Sequence, residues 1–166
     1  AHLHYLHRRR TEAAPLLELA AKRYREAGEL EKALKAEVER IDVLALDSSL
    51  EPRDLLLELD HCRDEAEANQ YWEVLALALD VAVLMLEKMG APDRIREVLG
   101  EARRVGRRGS ARATCEAKCT EVYHVLHGNP ILGLRSAREA VELAEAEGFV
   151  DLLFGCRVRL ITALVA

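Results

Sequence analysis

The stretch HGNPILGLRSAREAVELAEAEG, residues 127–148, carries Gly128, Asn129 and Pro130 at one end and Gly148 at the other. Between them Leu134, Ala137, Ala140, Val141 and Ala144 recur at spacings of three and four, which gathers them into one stripe of an α-helix. Proline fits a first helical turn, whose N–H groups have no intrahelical acceptor, and glycine fits the left-handed residue that ends a helix. The stretch HRRRTEAAPLLELAAKRYREAG, residues 7–28, repeats the pattern. At an offset of 120 residues His4, Leu6, His7, Ala20 and Gly28 fall on His124, Leu126, His127, Ala140 and Gly148. Pro52, Pro92 and Pro130 follow at intervals of 40 and 38. A period of this length is the signature of a solenoid, whose units bury their apolar faces only against their neighbours.

Working outward from that stretch, the chain divides into about nine helical segments. One set, A, covers about residues 1–8, 29–46, 70–89, 110–127 and 149–166, and a second set, B, about 11–27, 51–68, 92–107 and 130–147. Thr11 reads as an N-cap of the first B segment, with Pro15 a little deeper. Gly28, Gly90 and Gly148 read as C-terminal caps. Two- to four-residue connections make consecutive helices antiparallel neighbours. The fold class expected is therefore all-α: one domain, with units at about 1–28, 29–69, 70–109, 110–148 and 149–166. The pattern is already under way at Ala1 and still running at Ala166, which predicts a piece of a longer solenoid.

The 127–148 stretch resembles the second helix of a tetratricopeptide (TPR) repeat. Gly128 takes the turn, Gly133 the small crossing position, and Ala137, Ala140 and Val141 the packing positions; Ala13, Leu17 and Ala20 repeat the theme. Units of forty residues resemble the variant in maltose-regulator-type bacterial transcription activators and in repeat-containing diguanylate cyclases. The second unit departs from it, with Ser48-Ser49 in place of a turn glycine. The resemblance implies a right-handed superhelix, A helices lining an inner groove and B helices outside. It specifies a scaffold far better than a function, because the same stack hosts unrelated roles.

Composition agrees and narrows the function. Half of the 166 residues are apolar and only 4% aromatic, which favours close helix packing over sheet. A net charge of -5 does not draw nucleic acid or acidic lipid to the chain as a whole. The longest apolar run, Val74 to Leu86, contains Asp80 and is far short of the roughly 20 residues a membrane span needs. Four cysteines without a dense framework suit a reducing compartment, so a cytoplasmic location is expected. There is no phosphate-binding glycine loop, no HExxH, and no nucleophile flanked by a His and an acid, so no enzyme activity or cofactor is expected.

Asp80 stands out, because a charge in so apolar a helix is costly unless paired. By the resemblance it is a groove anchor for a cationic or hydrogen-bonding ligand; by packing alone it pairs with an Arg or Lys of an adjacent helix. The same carry-over, counted from Gly128, puts Cys115, Lys118 and Val122 on the groove side, with Glu87 and Lys88 near the rim and Glu39 and Asp42 in the preceding A helix. Such a groove suits a peptide or partner helix, with a small effector as another ligand class.

Cys115 and Cys119 share one helix face, but His124 and His127 lie too far along the axis, at about 1.5 Å per residue, to complete one tetrahedron. No metal site is expected. The basic clusters Arg8-Arg9-Arg10 and Arg103, Arg104, Arg107, Arg108 and Arg112 sit at helix ends and turns; the second has no interleaved aromatics to stack bases. Tyr71-Trp72 is expected to fill a junction between units. The function expected is a protein-interaction or effector-binding module of a larger bacterial signalling or transcription-regulatory protein. The alternative is an oligomerisation or spacer element that binds no ligand, with terminal helices able to form a homodimer.

Overall fold

The computed structural model describes residues 2–46, 50–125 and 128–165, with side chains from residue 12 onward other than those of 124 and 125. Ser48, Ser49, Leu126 and His127 lie outside the described residues, and so do the side chains of His4, Leu6, His7, Arg8, Arg9, Arg10, Thr11 and His124.

The described chain is entirely helical: α1 (His2–Glu26), α2 (Leu30–Ala45), α3 (Pro52–Ala68), α4 (Trp72–Lys88), α5 (Pro92–Gly106), α6 (Ala111–Glu121), a 3-10 turn (Val122–Val125), α7 (Pro130–Glu147) and α8 (Val150–Val165). Eight α-helices replace the nine expected segments. The two segments expected at about 1–8 and 11–27 are joined, over the described residues, in the one helix His2–Glu26, because nothing between Arg8 and Thr11 breaks a helix. Pro15 lies inside α1, where its ring removes a single backbone donor. The segment expected over 110–127 also differs, since α6 ends at Glu121 and tightens into the 3-10 turn.

The punctuation acts as its chemistry requires. Pro52, Pro92 and Pro130 occupy the first turns of α3, α5 and α7. Gly148 closes α7 at φ 70°, a conformation in which a Cβ would crowd the following carbonyl. Asn129 caps α7 by accepting from the Leu132 N–H, and Ser110 caps α6 by accepting from that of Ala113. At Gly109 the constraint is space. A Cβ there would lie 2.5 Å from the Ala113 Cβ and 2.9 Å from the Trp72 Cβ, so only glycine lets the α5–α6 turn close over Trp72.

Each helix packs on the next in sequence, and α2 also touches α4, α4 touches α6, and α6 touches α8. The core centres on α4, where Leu75, Leu79, Met85 and Leu86 are fully enclosed by α2, α3, α5 and α6. Each such side chain contributes roughly 1.5–3 kcal/mol of burial. Tyr71 and Trp72 are half-buried against this core. A smaller cluster joins Cys115 of α6, Ala140 and Ala144 of α7, and Cys156 of α8. Among the described residues no helix is long and apolar enough to cross a membrane.

Polar contacts between helices recur near the sequence period. Arg25 meets Glu65, 40 residues on; Thr120 meets Asp80 across 40; Arg159 meets the Cys119 carbonyl across 40; Arg112 meets Asp151 across 39. One spacing thus brings equivalent helical positions together along the chain.

Candidate functional site

Asp80, Thr120 and Arg159 stand 40 and 39 residues apart on α4, α6 and α8, and their side chains converge. Arg159 Nη2 donates to Asp80 Oδ2 at 2.5 Å, and Thr120 Oγ1 donates to Asp80 Oδ1 at 3.2 Å. Arg159 Nη1 also donates to the Cys119 carbonyl at 2.9 Å, and the guanidinium lies 5.4 Å from the centre of the Tyr123 ring. The carboxylate is thus paired and hydrogen-bonded, which offsets the cost of drawing it out of water. Burial pushes the Tyr123 hydroxyl up to about 12, with the Asp80 charge adding to the effect.

Beside this pair, α4, α6 and α8 enclose a cleft of about 190 Å³. Leu77 and Leu152 supply its apolar surface, while Asp80, Glu116, Asp151 and Arg159 supply its charge. Glu116 is the unusual member. Its side chain is only 12% exposed, Arg112 Nε stands 3.7 Å from Oε1, and Oε2 is buried with no hydrogen-bond partner. Burial pushes its carboxyl up to about 7; Arg112 and Lys35 oppose the shift, and Glu73 and Asp80 reinforce it. Arg112 is shared, since it also pairs with Asp151 and lies 5.6 Å from the Phe149 ring centre.

Sulfur forms another wall. Cys119 Sγ lies 3.2 Å and Cys115 Sγ 3.8 Å from Cys156 Sγ, and Cys115 Sγ lies 3.5 Å from the Ala140 carbonyl oxygen. All four cysteines of the chain are free thiols. Among the described residues, no group of three His, Cys, Asp or Glu side chains is arranged to hold a metal ion.

The residues singled out from sequence separate in space. Asp80 lines the cleft. Asp42 and Glu87 are half-buried nearby, where their charges, with that of Asp80, raise the Tyr123 hydroxyl. Glu39 is half-buried on α2. Lys88, on the rim of α4, donates to the Ala45 carbonyl at the end of α2. Cys115 and Val122 correct the expectation: at 0% and 7% exposure they are packing residues, not groove surface.

Lys118 is corrected too, for it lines a different cleft, of about 250 Å³, between α5, α6 and α7. There it pairs with Glu139 at 2.7 Å and with Glu121 at 3.4 Å. Thr120 opposite Asp80 sets the register, and Lys118 lies two residues, or about 200°, around the helix from it. Counting back from Gly128 fails because Gly128 stands 38 residues beyond Gly90, whereas Thr120 stands 40 beyond Asp80, so the count lands two residues early.

Glu121, 1% exposed, is the buried acid of that second cleft. Burial pushes its carboxyl up, but hydrogen bonds from Arg103 and Ser136 and the charge of Lys118 outweigh it and leave the group below the ordinary range. The second basic cluster disperses: Arg103 pairs with Glu121, and Arg112 with Asp151. A larger, open cleft of about 530 Å³ among α1, α2 and α3 is lined by the paired Arg25 and Glu37 and Arg40 and Glu58, with Glu18, Lys22 and Glu26 beside them.

Glu116, Arg159 and Cys156 were missed at the sequence level. The signal that could have found them is spacing: Cys156 stands 40 residues beyond Glu116, and Arg159 stands 79 beyond Asp80. No protein-family model, no curated protein and no solved structure matches this chain.

Proposed function

We propose that the chain is an interaction scaffold whose cleft between α4, α6 and α8 receives a cationic side chain of a partner peptide. The carrying observation is the unpartnered, buried Oε2 of Glu116, in a cleft whose other acids are already engaged, Asp80 by Arg159 and Asp151 by Arg112. A carboxyl held near neutrality by burial ionises more readily once a cation arrives, so binding energy is concentrated at that oxygen. The apolar surfaces of Leu77 and Leu152 suit the methylene stem of a lysine or arginine.

In this reading the helices form a right-handed TPR-like solenoid, with α2, α4, α6 and α8 on the inner side. It is a cytoplasmic module of a bacterial signalling or transcription-regulatory protein and has no enzyme activity of its own. The recurrence of interhelical contacts near forty residues supports the repeat; the resemblance of the 127–148 stretch supports the handedness and setting. The test is a library of nine-residue peptides with fixed central Lys, Arg, norleucine or Glu, panned against the protein and against Glu116→Gln. Enrichment of Lys or Arg peptides, weakened about tenfold or more in the variant, is expected from loss of a charge-assisted contact. Equal recovery of norleucine peptides would exclude a cation site.

A second reading is favoured by one face of α8. Val150, Phe154, Val158, Ile161 and Val165 form a stripe at helical spacing, exposed by 80%, 78%, 44%, 62% and 80%. Phe154, Val158 and Ile161 stand 39 residues beyond Cys115, Cys119 and Val122, of which Cys115 and Val122 are buried and Cys119 half-buried. The stripe thus matches the face by which α6 receives its neighbours, and the α8 of a second copy can seat there. Sedimentation equilibrium tests it: a dimer abolished by Phe154→Glu is expected, and a monomer at all concentrations excludes it.

A further inference from the structure

We propose that Cys119 and Cys156 are an oxidisable pair that a peroxide converts to a disulfide, tying α8 to α6 at the wall of the cleft. Their Sγ atoms stand 3.2 Å apart on different helices, 37 residues apart in sequence. Closing to the S–S bond length of about 2.05 Å needs a sulfur movement of only about 1.2 Å. Both residues line the cleft, where the half-buried Cys119 is the more open of the two and Cys156 is 1% exposed behind it. Cys119 is partly exposed, whereas Cys115, the third sulfur, is fully enclosed and 3.8 Å from Cys156. Access and distance therefore both select Cys119 as the partner.

The nucleophile is set by the cluster. The sulfurs of Cys115 and Cys119, 3.8 and 3.2 Å away, lie within hydrogen-bond reach of Cys156 and hold its thiol below the ordinary range, and the Arg159 charge adds to the effect. Hydrogen bonding to its neighbouring thiols and burial push Cys119 the other way. The Cys156 sulfur attacks one peroxide oxygen; an S–O bond forms, the O–O bond breaks, and the departing oxygen leaves as alcohol or water with the Cys156 proton. The Cys119 sulfur then attacks Cys156 Sγ; the S–S bond forms, the S–O bond breaks, and hydroxide leaves as water with the Cys119 proton. Each sulfur loses one electron and the peroxide gains two.

The bond is independent of whether the cleft binds a peptide, and its test needs no ligand. The protein is treated with hydrogen peroxide, then alkylated and digested for peptide mapping. A Cys119–Cys156 cross-link is expected, with a mass lower by about 2 Da. Amides of α8 should exchange more slowly and the Tm should rise by several degrees. Cys115→Ser should form the same bond. Cys119→Ser, which keeps the fold-bearing Cys156, should accumulate a Cys156 sulfenic acid trapped by a 1,3-diketone probe. Sulfinic acid at either residue in place of a cross-link would overturn the proposal. So would a Cys115–Cys156 bond in the unvaried protein, or cross-linking of Cys119→Ser through Cys115 at the unvaried rate. Persistence of both thiols under peroxide that oxidises free cysteine would overturn it as well.

Discussion

Two helices of nearly equal length and similarly apolar sequence, WEVLALALDVAVLMLEK of α4 and VDLLFGCRVRLITALV of α8, meet opposite fates. Ten residues of α4 are buried, whereas α8 buries Cys156 alone. Burial is conferred by neighbours: α4 is flanked by α2, α3, α5 and α6, while α8 touches α6, α7 and the 3-10 turn. The two are consequently held by different forces. Apolar area holds α4. A small apolar cluster of Leu152, Leu153 and Cys156 against α6 and α7, together with a seam of polar contacts, Arg159 to Asp80 and the Cys119 carbonyl and Arg112 to Asp151, fixes α8. A seam of that kind answers to pH, oxidants and ligands, to which an apolar core is indifferent.

Truncation separates the two regimes most strongly. Leu79→Ala, at a fully enclosed α4 position, is expected to cost about 2–5 kcal/mol in urea unfolding. Ile161→Ala, 62% exposed on α8, should stay within about 0.5 kcal/mol. An Ile161→Ala cost approaching that of Leu79→Ala would mean that the α8 stripe is covered in solution, and the comparison would give way to the dimer reading.

The next effect is a pH dependence confined to the seam. Glu116 titrates near 7 when folded, against 4.5 as its ordinary value. The folded state therefore holds this proton more tightly than the unfolded chain. That stability is fully present below about 4.5 and lost as pH rises through about 7, and amounts to about 2–3 kcal/mol. Unfolding free energy measured between these limits should fall with rising pH, and Glu116→Gln should flatten the slope. Unchanged slopes in the two proteins would remove Glu116 as the buried acid. Asp151 and Glu121, whose carboxyls lie below the ordinary range, act in the opposite sense and at lower pH.

Breaking the Asp80–Arg159 pair should cost somewhat less, because both side chains keep about a quarter of their exposure. Asp80→Ala leaves Arg159 facing the seam without its carboxylate, an expected loss of about 1–3 kcal/mol. Asp80→Ala combined with Arg159→Met should cost less than the sum of the single changes, the signature of a coupled pair. Strict additivity would show that the two are energetically separate.

What the sequence disclosed follows from what short-range chemistry can encode. The proline and glycine punctuation and the forty-residue period placed the helices from α2 onward apart from the end of α6, because most breaks carry their own residue signal. The α1 boundary was illegible, since Arg8 to Thr11 holds no breaker and Thr11 is read as a cap only if the helix is already assumed to stop. Asp80 was conspicuous as a charge in an apolar run, and its groove and paired readings both stood until Arg159 was placed. That partner lies 79 residues away, two periods rather than one. Lys118 was misplaced for a local reason: Gly128 follows Gly90 by 38 residues, while Thr120 follows Asp80 by 40. The thiol cluster was half visible: Cys115 and Cys119 share a face, but the third sulfur arrives on the following repeat.

The smallest expected effect tests the punctuation itself. Gly148 joins α7 to α8 at φ 70°, and a Cβ there would meet no atom within 4 Å. Gly148→Ala therefore isolates backbone strain from crowding, at an expected cost of about 1 kcal/mol. The residue is a hinge of the seam and not of the α4 core. Faster hydrogen exchange should accordingly concentrate in α8, leaving α4 amides protected. Uniform acceleration in both helices would mean that α8 and the core unfold as one unit, and that the division between an area-held centre and a polar-held edge is not an energetic one.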